Sequence, residues 1–130
     1  MKKISIMIRK FDYKNGNYQN PSPKVLHKQI LKLHRNIKKN DNIYTEYSIE
    51  RDENKSKYHT HLLIHYTDKE NLYNHLSRFI GSNDWKIREK GLNTFDECNG
   101  KYGCIHTESI RDEWNYRHYI DVLTQTTTLI

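Results

Sequence analysis

The chain contains no apolar run approaching the roughly 20 residues that a membrane-spanning helix needs, so no membrane partner is expected. Its opening residues, "MKKISIMIRKFDYK", lack the long apolar region and small-residue cleavage site of a secretory leader. A cytoplasmic protein is the resulting expectation. Cysteine is scarce. Cys98 and Cys104, in "CNGKYGC", have no second pair to complete a disulfide framework or a four-cysteine zinc site, and a reducing compartment leaves them unbridged. No internal repeat, linker or low-complexity tract divides the 130 residues, which are read as one domain, 1-130. An apolar content of 35% is low but sufficient for a single modest core.

Positive charge and tyrosine are what the chain has in excess. Lys and Arg number 22 against 16 Asp and Glu, a net charge of +6 that favours polyanions such as nucleic acid or an acidic membrane surface. Ten tyrosines are interspersed with Lys, Arg and Asn. They suit stacking on unpaired bases, and they are equally ordinary strand residues.

Patterning predicts the elements. "ISIMIRKF" (Ile4 to Phe11) is short and β-branched, and reads as a central strand followed by a turn-rich loop, "DYKNGNYQNPSP". Ser22 and Pro23 resemble an N-cap and a first-turn proline. They open a helix in which Leu26, Ile30, Leu33 and Ile37 recur at helical spacing beneath a basic outer surface. "IYTEYSIER" (Ile43 to Arg51) and "KYHTHLLIHY" (Lys57 to Tyr66) form a hairpin across "DENKSK". A second helix follows Thr67 and Asp68, with Leu72, Leu76, Phe79 and Ile80 on one face and Gly81 as its stop. "WKIREKG" is expected as a strand, "LNTFDECNGKY" as a loop and "GCIHTESI" as the last strand. A third helix is expected in "EWNYRHYIDVLTQ". The order β-α-β-β-α-β-β-α predicts an α+β fold: a central antiparallel five-stranded sheet with helices packed on it and a split βαβ core.

Histidine is placed unusually. Side chains two apart on a strand share a face, with Cα atoms about 6.5 to 7 Å apart, so His59 and His61 can converge on one metal ion. Glu46, Ser48 and Glu50 share one face of the preceding strand, and Glu50 reaches the same spot if it lies opposite His59. Two imidazoles and a carboxylate leave coordination positions open. Such a site suits Mn²⁺ or Mg²⁺ holding a phosphate oxygen, and Zn²⁺ also binds these donors. Glu46 is the spare candidate, while His65, a full pair beyond Leu63, is read as structural or surface.

The combination of "YSIE", "HTHLLI" and a tyrosine-bearing helix near the end resembles the HUH endonuclease superfamily, in particular rolling-circle replication initiators. "ISIMIR" looks like that family's first strand motif, and the resemblance covers essentially the whole chain. Thr60 stands between the two histidines, where the family usually has a hydrophobic residue. The resemblance implies a divalent-metal-dependent nickase and strand transferase acting on single-stranded DNA at an origin or hairpin. A tyrosine would attack the scissile phosphate, form a 5′-phosphotyrosine link and free a 3′ hydroxyl that primes replication of a plasmid or virus. Host replication proteins would be further partners, the host cytoplasm the compartment, and a helicase domain a frequent continuation. Tyr119, followed by Ile120, matches the family pattern better than Tyr116, which is the alternative nucleophile. The lysine that many initiators carry one turn after the nucleophile is Val122 here.

Two other readings compete. A transposase or relaxase of the same superfamily would perform the same chemistry for a different purpose. A non-catalytic single-stranded nucleic-acid-binding module of the RNA-recognition type shares the split βαβ core, basic surface and aromatics, but has no need of the paired histidines or a facing glutamate. A histidine-rich structural domain is the plainest possibility.

Overall fold

The computed structural model describes residues 2–14, 17–52, 57–82, 95–109 and 128–129. Within them the chain runs β1 (Lys2–Lys10), β2 (Asp12–Lys14), β3 (Asn17–Gln19), α1 (Pro23–Lys38), β4 (Tyr44–Arg51) and β5 (Tyr58–Tyr66). It continues with α2 (Lys69–Ile80), β6 (Phe95–Gly100), β7 (Gly103–Ser109) and β8 (Thr128–Leu129). The fold is α+β.

Alternation along the strands decides which way the sheet faces. Ile4, Ile6 and Ile8 of β1 lie opposite Ile64, Leu62 and Thr60 of β5, and all six are buried. Residues directly opposite in an antiparallel pair share a face, so these side chains make one continuous apolar layer. Ile105 and Thr107 of β7, opposite Ile8 and Ile6, extend it. The sheet order is β6-β7-β1-β5-β4-β8, with every pairing antiparallel. β5 therefore lies between β1 and β4, which run parallel to each other, and β1-α1-β4 is a split βαβ unit.

Both helices cover the apolar layer. Leu26, Ile30, Leu33 and Ile37 of α1 are buried, as are Leu72, Leu76 and Ile80 of α2. Burying each such side chain contributes about 1.5–3 kcal/mol. Polar contacts fix the position of α1 over β4: His34 Nδ1 lies 2.8 Å from Thr45 Oγ1, and His27 Nδ1 2.7 Å from Tyr47 Oη. The ends are set by the residues that the spacing predicts. The Ser22 side chain accepts from the Val25 N–H, and the Asp68 side chain from the Asn71 N–H. Gly81, at φ 70°, closes α2 in a left-handed turn in which the Ser82 N–H donates to the Ser77 carbonyl. A side chain at Gly81 would also meet the Tyr102 ring, 2.6 Å from the position a Cβ would take.

Pairing extends into segments that patterning leaves as loops. The stretch after β1 contains the small β2–β3 hairpin, with Tyr13 opposite Tyr18. "LNTFDECNGKY" is likewise not a loop throughout, because residues 95–100 form β6 and pair with β7 around a turn at Lys101 and Tyr102. An edge strand gains ladder hydrogen bonds from one neighbour without needing an apolar period, which is why its polar sequence gives no strand signal. The two residues of β8 add to the outer edge of β4, so the five antiparallel strands carry a short sixth. The strand expected at 85–91 and the helix expected in "EWNYRHYIDVLTQ" lie outside the described residues.

Candidate metal centre

The histidines occupy the other face of the same sheet. Along β5 the even positions Thr60, Leu62, Ile64 and Tyr66 are buried with the core, which turns His59, His61, Leu63 and His65 to the opposite side. Glu50 is the direct partner of His59 and Ser48 that of His61, so the condition for Glu50 to reach the histidines is met. Leu63 and Ser48 are buried on this side, whereas the His59, His61 and Glu50 side chains retain 12, 14 and 27% of their exposure. The donors are thus sheltered on one side and reachable from the other.

Three atoms converge. Glu50 Oε2 lies 3.0 Å from His59 Nε2 and 3.2 Å from His61 Nε2, and the two nitrogens are 3.1 Å apart. The rings stand nearly perpendicular, at 80° with centroids 4.8 Å apart, so both can aim a lone pair at one point. This cluster can hold a metal ion.

Asp52 and Arg9 complete the arrangement, and sequence reasoning missed both. His59 Nδ1 bonds to Asp52, whose other carboxylate oxygen accepts from Arg9. Donation of the Nδ1–H to Asp52 makes Nε2 the lone-pair nitrogen of the neutral ring, the orientation a metal ligand requires. With Nε2 presenting its lone pair, a cation seated between it and Glu50 Oε2, 3.0 Å away, would be held by both. Burial pushes the Asp52 carboxyl upward. Its hydrogen bonds from His59 and Arg9, with their charges, outweigh burial and hold it below the usual carboxylate range. Burial, and next the adjacent His59, push the His61 imidazole below its ordinary value despite the raising contact with Glu50. That direction favours the neutral ring, the form in which an imidazole offers a lone pair to a metal.

A further observation accompanies the donor set. Ser48 Oγ, buried beside His61, has no hydrogen-bond partner among the described residues. A buried hydroxyl without a partner is uncommon and costs about 1–3 kcal/mol, so its place on the histidine face fits a site that acquires a ligand.

The remaining expectations divide. Glu46 faces the same side but is paired with Leu63, and the three-residue cluster does not include it. His65 is opposite Tyr44, its ring edge-on at 6.5 Å, away from the cluster as expected. Tyr116 and Tyr119 lie outside the described residues. Cys104 is a free thiol, as expected for it. No helix among the described residues is long and apolar enough to cross a membrane. Asp52 was legible in principle, since it continues the even positions Glu46, Ser48 and Glu50. Arg9 required knowledge of which strand borders β5 on its other side.

No protein-family model matches the chain, and no curated protein or solved structure matches it.

Proposed function

We propose that this chain is a metal-dependent single-stranded DNA endonuclease and strand transferase of the HUH type, one that initiates rolling-circle replication of a plasmid or virus. The observation that carries the proposal is the convergence of Glu50, His59 and His61, with Asp52 holding His59, on one face of the central sheet.

Edges of 3.0, 3.1 and 3.2 Å bring the three donors close enough to share one divalent ion, and coordination positions left open for a phosphate oxygen suit Mn²⁺ or Mg²⁺. Two imidazoles among three ligands favour Mn²⁺ of that pair, because Mg²⁺ prefers oxygen. A bound divalent ion would neutralise the non-bridging oxygens of the scissile phosphate.

In this reading Glu50, His59 and His61 face the scissile phosphate, and Arg9 and Asp52 keep the His59 ring from turning. Tyr119 Oη gives up its proton to water and attacks the phosphorus, forming the O–P bond. The bond from phosphorus to the 3′ oxygen breaks, that oxygen takes a proton from water and leaves as a 3′ hydroxyl, and the 5′ phosphate stays on the tyrosine. Tyr116 contacts substrate or packs.

The test is incubation with random-sequence single-stranded oligonucleotides and Mn²⁺, followed by denaturing electrophoresis. A covalent adduct should form. It should vanish in His59→Ala/His61→Ala and in Tyr119→Phe, and persist in Tyr116→Phe. Loss in Tyr116→Phe alone would transfer the nucleophile to Tyr116. Tight strand binding with no adduct under any metal would replace this reading with the non-catalytic binding module.

A further inference from the structure

On the side of the sheet away from the metal centre, the helices leave a cleft of about 540 Å³ between them. Lys32 of α1, Lys39 at its C-cap, and His75 and Arg78 of α2 line it, with Lys10 at the end of β1 and Tyr102 from the β6–β7 turn. Four of these six carry a permanent positive charge, and no Asp or Glu is among the described residues of the lining. Lys32, Lys39 and Arg78 are exposed. Lys10 is held in place by the Phe79 carbonyl and by two rings, its Nζ 4.4 Å from the Phe79 centroid and 5.4 Å from that of Tyr102. Asn36 and Asn40 add amides beside the cations.

We propose that this cleft is a nucleic-acid contact in its own right, binding backbone phosphates of a single strand on the face opposite the metal centre. Three features carry the proposal. Like charges gathered in a concave wall repel one another and focus a positive potential, a cost that an anion removes. Lys39, the αR C-cap of α1, lies seven positions after Lys32, about 10 Å along the helix axis, so the charge is spread over a length suited to successive phosphates. The lining offers amide donors for phosphate or sugar oxygens in addition to charge. His75 reports the same field: burial, then the Arg78 and Lys39 charges, push its imidazole below the ordinary value. The cleft goes beyond the nickase reading and does not depend on it, since phosphate binding there needs neither metal nor a tyrosine.

The test is the fluorescence anisotropy of a labelled single-stranded oligonucleotide without metal, across a salt series. Lys32→Gln/Lys39→Gln/Arg78→Gln should weaken binding at 0.1 M salt about tenfold or more, and lower the salt slope by about 2, at roughly 0.7 per phosphate contact. Lys24→Gln/Arg35→Gln/Lys38→Gln removes the same charge from α1 outside the cleft and should change affinity by only about twofold. These positions are exposed, and thermal melts establish that both variants fold. Equal losses in the two variants would reduce the cleft to general surface charge, and no loss in the first would remove it as a site. NMR of His75 supplies the remaining arms. Its resonance should move with the oligonucleotide at concentrations where inorganic phosphate, AMP and polyglutamate leave it still. Movement with phosphate or AMP alone would make the occupant a small phosphate compound, and an equal response to polyglutamate would make it an acidic protein segment; either overturns the assignment.

Discussion

The two faces of the central sheet use the same strands for opposite purposes. On the helix side, Ile4, Ile6, Ile8, Leu62 and Ile64 are almost completely buried. On the other side, one residue out of phase, stand Met7, Arg9, His59 and His61. A strand with an apolar face already committed to the core can hold polar groups rigidly on the reverse. Their backbone is fixed by packing in which they take no part. The precision of the Glu50–His59–His61 triangle is a by-product of the core behind it, and a one-residue slip of β5 would exchange the two sets.

Breaking the histidine face should have the largest effect. His59→Ala/His61→Ala removes two of three ligands, and covalent adduct formation should fall by at least about a thousandfold, since a positioned metal supplies several kcal/mol of charge stabilisation. Chemical denaturation should find its stability lowered by no more than about 2 kcal/mol, because neither imidazole belongs to the apolar core and the main loss is the bond from His59 to Asp52. A drop of several kcal/mol would show that the two faces are not independent.

Breaking the core face through the same strand is the converse. Leu62→Ala should lower unfolding free energy by about 2–5 kcal/mol, measured by urea denaturation, while the folded fraction keeps its Mn²⁺ affinity by calorimetry. Loss of metal binding at full folding would mean that the triangle depends on side-chain packing behind it as well as on backbone register.

Asp52→Asn tests how much the outer support contributes. It keeps the size and removes the charge that accepts from His59 and Arg9. Metal affinity should weaken by about 10–100-fold with the ligands intact. An unchanged affinity would show that the hairpin alone orients His59.

The smallest effect compares histidines across the faces. His34, 5% exposed in the core, is pushed below its ordinary value by burial and then by the Lys38 and Arg35 charges. The folded state therefore binds its proton later than the unfolded state, whose value is near 6.5. Its contribution is complete above pH 6.5 and is lost as pH falls through and below that value. His34→Gln keeps a hydrogen-bonding side chain and should flatten this part of the stability profile, by about 1 kcal/mol or less between pH 7 and 5.5. An unaltered acid slope would assign the dependence to His61 and His75, which shift in the same direction.

Local chemistry was sufficient for much of this molecule. Period two in β1, β4 and β5, period 3.6 in both helices, and the caps Ser22, Asp68 and Gly81 are all decided within a few residues, so they were legible from order alone. That Glu50 shares a face with Glu46 and Ser48 was legible from the same period, but its place opposite His59 was only a condition until the hairpin register supplied it. What tertiary structure decided was adjacency between distant segments. Only the sheet order brings Arg9 beside Asp52, 43 residues away, and so creates the support behind His59. Only pairing with β7 makes a strand of residues 95–100, whose polar sequence carries no period. Only the packing of α1 against α2 beside the end of β1 gathers Lys10, Lys32, Lys39 and Arg78 around one cleft. Periodicity records which face a side chain takes, since that depends on backbone geometry within one element. The identity of the neighbour across that face depends on the free energy of the whole assembled chain.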